Sequence, residues 1–183
     1  VRDTKSLLYP QKAERVNERM SRTLFIDPGI EGTGYALFDY YYTKAEKAMP
    51  PIKTGSFRPR NKDNEHWQRN CEELWSWFGG MLTAMQPSII VLESQGVWSE
   101  SAKSMASATR GDIMKLTYLT GGMAHCCFKE LLETPVLVAP RVWKGQLPKK
   151  VVISRLNKHF PTLSFKNHEA DAVGMGVAAQ GLL

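Results

Sequence analysis

The sequence predicts an α/β fold: a mixed sheet of five strands, the first three antiparallel, with helices on both faces. Three observations predict it. The stretch Thr23–Tyr40, TLFIDPGIEGTGYALFDY, holds two apolar runs separated by Pro28, Gly29, Gly32 and Gly34, the pattern of two paired strands joined by a tight turn. Ser88–Leu92 (SIIVL) and Pro135–Ala139 (PVLVA) are short, continuous apolar runs, as in strands covered on both faces. Between and after these runs, apolar residues recur at helical spacing.

The totals bound the answer. At 183 residues the chain can bury one sizeable core but not two large ones. Its N-terminal stretch is charged throughout and no apolar run approaches membrane-spanning length, so neither a signal peptide nor a membrane anchor is expected. The three cysteines, Cys71, Cys126 and Cys127, are odd in number and two are adjacent. That suits neither a disulfide framework nor a zinc knuckle, and implies reduced core thiols in a cytoplasmic protein. A net charge of +6 favours a polyanionic partner.

Taken in order, residues 1–22 read as a basic, solvated arm and 23–183 as the folded domain. Ile52–Phe57 completes an antiparallel meander after a loop ending in Pro50 and Pro51. Trp67, Cys71, Leu74, Trp75, Phe78, Leu82 and Met85 give a helix one broad apolar face, with its tryptophans in the core and with Gly79 and Gly80 available for close approach to the sheet. Pro87 ends it. Ser94–Ser104 reads as a loop bearing Trp98, and Met105–Glu133 as a long helix that Gly121 and Gly122 break or kink. Arg141–Lys150 reads as a loop, followed by a helix from Pro148 to about Phe160. The last element, Asn167–Gln180 (NHEADAVGMGVAAQ), starts with Asn167 as N-cap. Its Ala170, Gly174, Gly176 and Ala178 keep it slim, as a helix lying close on a sheet would require.

Carboxylates fall at the end of the first strand (Asp27), at the end of the fourth (Glu93) and on the last helix (Asp171), where His168 shares a face with Asp171. Strand ends are where open α/β sheets place ligands. Clustered carboxylates repel unless a cation intervenes, and a hard divalent ion, Mg²⁺ or Mn²⁺, suits oxygen donors. From Thr134 to His168 there is no acidic residue, whereas Arg141, Lys144, Lys149, Lys150, Arg155, Lys158 and Lys166 are basic. Such a stripe suits phosphate contacts that position a strand without reading its bases.

The order and spacing of IDPG and TGYALF, then IIVLE, then HEADAVGMG resemble the RuvC family of Holliday-junction resolvases, bacterial or phage nucleases of the RNase H-like superfold. The resemblance covers about Thr23 to Ala179. ATRG (Ala108–Gly111) is similar to the family's ARG segment, and PRVWKGQLPKK (Pro140–Lys150) to its basic loop. The resemblance implies a metal-dependent endodeoxyribonuclease of DNA recombination and repair, with catalytic and metal-binding residues Asp27, Glu93, His168 and Asp171. It implies two Mg²⁺ ions per site, with Mn²⁺ as substitute, and paired nicks in a four-way junction that leave 5′ phosphate and 3′ hydroxyl. The expected DNA contacts are Trp98, Lys103, Arg110, Arg141, Lys144, Lys149 and Lys150. A homodimer is implied, with the small-residue side of Lys103–Glu133 as its interface. The setting implied is the cytoplasm of a bacterial or phage-infected cell, or an organelle that keeps a bacterial-type recombination system.

One departure stands out. Where the family carries an aromatic wedge three positions after the second acid, this chain has Gly96, and the nearest aromatic is Trp98. The alternatives are a nuclease of the same fold acting on other branched DNA or on RNA–DNA hybrid, and a non-catalytic DNA-binding module. Sugar kinases and actin-like ATPases share the glycine-rich opening, but their two lobes need a far longer chain.

Overall fold

The computed structural model describes residues 21–40, 47–60, 66–94 and 111–183. Strand β1 (Ser21–Asp27) lies at the centre of a five-stranded sheet. On one side it pairs antiparallel with β2 (Thr33–Tyr40), which pairs antiparallel with β3 (Lys53–Phe57). On the other it pairs parallel with β4 (Ile89–Glu93), which pairs parallel with the short β5 (Val136–Val138). The order is β3-β2-β1-β4-β5, the mixed sheet the sequence predicts. β1 starts two residues ahead of the expected arm boundary, and residues 1–20 lie outside the described ones.

Alternation along the strands divides the core into two layers. Leu24, Ile26, Leu37, Ile90 and Leu92 face helices α1 (Trp67–Met85) and α2 (Asp112–Leu131), meeting Leu74, Phe78, Leu82, Leu119 and Met123. Phe25, Ala36, Phe38, Val91 and Val138 face the opposite way, onto α3 (Pro140–Trp143), α4 (Lys149–His159) and α5 (Asn167–Ala179), meeting Trp143, Val152, Leu156, Val173 and Val177.

Several local expectations are corrected. Gly79 and Gly80 do not approach the sheet: no side chain or backbone crowds either of them. Gly121 and Gly122 do not interrupt α2, which runs unbroken; a Cβ at Gly122 would overlap the Trp75 ring, whose Nε1 donates to the Leu119 carbonyl at 2.9 Å. The described part of this helix starts at Asp112, after Gly111 in the left-handed region at φ 75°; the expected stretch from Met105 to Arg110 lies outside the described residues. The expected basic loop contains helix α3, with Pro140 at its first turn and Trp143 buried. The cap of α5 is Lys166, whose N–H donates to Glu169 Oε2 at 3.2 Å, so Asn167 is the first helical residue. Trp67, Trp75 and Trp77 are half-buried at the core's margin rather than inside it.

The last helix lies close on the sheet, as its small residues predict. A Cβ at Gly176 would overlap the Phe38 ring, and one at Gly34 on β2 would overlap the backbone of His168 and Glu169. Backbone meets backbone at Gly34, so no side chain can swing away to relieve the crowding. Gly34→Ala is therefore expected to destabilise the chain by about 1–3 kcal/mol, read from a lowered urea midpoint at unchanged m-value.

Candidate functional site

Asp27 continues the Phe25 side of β1, and Glu93 the Val91 side of β4, so both carboxylates project toward α5. The β1–β4 register pairs Ile26 with Leu92, which makes Asp27 and Glu93 the next step along the same rim. The turn after Asp27 is fixed by Gly32 N–H donating to the Gly29 carbonyl at 3.1 Å and by the buried Thr33 hydroxyl at 3.3 Å from the same carbonyl. Gly29 leaves room for the last helix: a Cβ there would stand 2.8 Å from His168 Cε1. His168 and Asp171, one turn apart on α5, then meet the rim.

Asp27, Glu93 and Asp171 are each no more than 6% exposed. The chain answers them with its own donors. His168 Nδ1 lies 2.7 Å from Asp27 Oδ2. Lys149 Nζ lies 2.6 Å from Asp171 Oδ2, and Lys144 Nζ 3.8 Å from Asp171 Oδ1. Trp143 Nε1 donates to Glu93 Oε2 at 2.8 Å. As the side chains stand, no three His, Cys, Asp or Glu groups among the described residues form a ready set of metal ligands. The expected residues lie at one rim of the sheet and on one face, but each acid is engaged separately rather than in one shared ligand cluster. Buried carboxylates without a shared cation recruit whatever donors lie nearest.

Their mutual repulsion is nevertheless present. Burial pushes the Glu93 carboxyl up to about 7, and Asp27 pushes the same way, against Lys144 and the Trp143 hydrogen bond. Burial likewise holds Asp27 above the ordinary carboxylate range, opposed by the His168 hydrogen bond and reinforced by Asp171. The donor set fits a hard divalent ion: three carboxylates and an imidazole, with Asp171 Oδ1 buried and lacking any hydrogen bond.

Of the remaining expected contacts, Lys150 and Arg141 are exposed on α4 and α3, while Trp98, Lys103 and Arg110 lie outside the described residues. Glu169 turns away from the acids; its carboxylate binds the Thr54 hydroxyl and the start of its own helix. Sequence reasoning passed over Trp143, which contacts Glu93, and Lys115, which lines a cleft beside His168. Trp143 looked like one more loop aromatic, and nothing in its spacing points at Glu93. Lys115, one turn into α2, lines a cleft of about 470 Å³ with Gly29, Ile30, Glu31, Asp112 and His168. Its place after ATRG was the available signal.

No protein-family model and no curated protein matches the chain. Solved structures do. Thermus thermophilus RuvC superposes with a TM-score of 0.61 at 17% identity, over 86% of this chain and 92% of that one. The fold is that of RuvC. T. thermophilus RuvC in complex with a Holliday junction substrate gives a TM-score of 0.62 at 16% identity, over 86% and 91%. The yeast mitochondrial Holliday junction resolvase Ydc2 gives 0.51 at 14%, over 98% and 82%. The chain is thus an α/β protein of the RNase H-like type, sharing with RuvC its architecture at low identity. No helix among the described residues is long and apolar enough to cross a membrane.

The raised Glu93 value has a stability consequence. Glu93 ionises near its ordinary 4.5 when unfolded and near 7 when folded, so the folded state holds the extra proton between those values. Its stabilising contribution is complete below pH 4.5 and lost as pH rises through 7, on the order of 3 kcal/mol in all. Chemical denaturation of metal-free protein across pH 4.5–8 should show this fall, and Glu93→Gln should flatten it.

Proposed function

We propose that the chain is a structure-specific endonuclease that resolves four-way DNA junctions by paired nicks leaving 5′ phosphate and 3′ hydroxyl. The observation that carries this reading is the delivery of three buried carboxylates and a histidine to one rim of the sheet, with two lysines beside them. The RuvC fold supports it, since solved structures of that fold include a Holliday junction complex.

Asp27, Glu93, Asp171 and His168 would hold Mg²⁺ or Mn²⁺, two ions per site, which when bound supplies positive charge at the scissile phosphate and acidifies water. The chain's own groups account for the rest. With Asp27 ionised, its carboxylate only accepts, so His168 Nδ1 carries the proton between them. A neutral His168 would either ligate the metal or position the attacking water. Lys144 and Lys149 can exchange Asp171 for a DNA phosphate, releasing the carboxylate as the strand arrives. Lys150 and Arg141 extend the cationic surface along the strand. Trp98, Lys103 and Arg110 complete the proposed DNA contacts.

Two symmetric cuts require two sites, and a two-fold homodimer provides them. An apolar row on α2, with Met114, Tyr118 and Phe128 about half or more exposed, supports an interface there. Phe128→Glu should convert a sedimenting dimer to monomer.

A second reading is favoured by one observation. Lys149 and His168 already engage two of the acids, as they would in a non-catalytic DNA-binding module. One experiment separates the two. In Mg²⁺, Asp27→Asn should abolish cleavage of a labelled four-way junction, at least a hundredfold, while a mobility-shift assay shows binding unchanged. A wild-type chain that binds the junction and never cuts it would favour the module.

A further inference from the structure

We infer that Trp143 is a positioning residue for Glu93: its indole N–H ties down one carboxylate oxygen and leaves the other as the oxygen presented to a metal ion. The inference rests on the metal-dependent reading of the site and goes beyond it by assigning a residue that the four expected ligands do not include.

The geometry is built for that contact. Trp143 is 7% exposed, and its Nε1 donates to Glu93 Oε2 at 2.8 Å. An indole N–H can only donate, so the bond favours the ionised carboxylate, the form in which Glu93 can act as a ligand. The ring is wedged from the opposite side: a Cβ at Gly174 of α5 would stand 2.7 Å from Trp143 Cζ3. Val152 of α4 packs in the same cluster. The indole therefore has little freedom to swing, and neither does the oxygen it binds. Lys144, the next residue, lays its Nζ 4.7 Å above the same ring while reaching Asp171. A four-residue helix and the residue that caps it thereby aim a donor at Glu93 and a cation at Asp171. Groups that orient a metal's ligands typically change affinity about 10–100-fold when removed.

The test is Mn²⁺ binding to the DNA-free protein by titration calorimetry, alongside junction binding in EDTA and thermal melting. Trp143→Phe keeps a ring in the slot and removes the N–H. It is expected to weaken Mn²⁺ binding about 10–100-fold while junction affinity stays within twofold of wild type. Unchanged Mn²⁺ affinity in a folded Trp143→Phe protein would overturn the inference and leave the nuclease reading standing. A wild-type protein that binds no Mn²⁺ would overturn both. If Trp143→Phe fails to fold, the benzothienyl isostere of tryptophan, with sulfur in place of the N–H, is placed at 143 and read the same way. A spectroscopic check needs no activity: the Trp143 indole N–H resonance, identified by its loss in the variant, should shift on Mg²⁺ addition in wild type. A resonance indifferent to Mg²⁺ would count against the contact.

Discussion

The close seating of α5 across β1 and β2 is the constraint on which the rest depends. Gly34 and Gly176 let helix backbone and strand approach to a distance that any side chain would forbid. That approach buries Asp27 and Asp171 and brings the His168 ring against the first of them. Helix propensity argues against two glycines in a thirteen-residue helix, and packing overrides it because the apposed surfaces are backbone and aromatic ring.

The electrostatics follow from that seating. Burial raises the proton affinity of Asp27 and Glu93, the neighbouring carboxylates push the same way, and an imidazole, ammonium groups and an indole N–H oppose it. The cationic partners are exchangeable in principle for an incoming cation, whereas the indole N–H stays on Glu93. A divalent cation competes with the protons and lysines for the acids, whereas a phosphate competes with the acids for the lysines.

Much of this was legible in the sequence. The meander, the two buried strands and the strand-end positions of Asp27 and Glu93 all follow from apolar runs and turn chemistry. So did the slim last helix and its His168–Asp171 spacing. What the sequence hid was tertiary. Trp143 reads as a residue in a polar loop, since a four-residue helix leaves no periodicity to detect, and its partner is fifty positions away. The lysines were legible as a cationic stripe, but not as groups that turn inward to Asp171. Gly122 signals a kink by propensity alone; only the Trp75 ring seated against it explains why the helix continues unbroken.

The site draws on residues 27, 93, 168 and 171, nearly the full span of the described chain. No fragment ending before α5 contains it, and no local stretch can rehearse it during synthesis. Folding and competence therefore arrive together, when the C-terminal helix docks on strands made long before. A chain still lacking that helix keeps Trp143 for Glu93 but has neither Asp171 nor the His168 ring that meets Asp27.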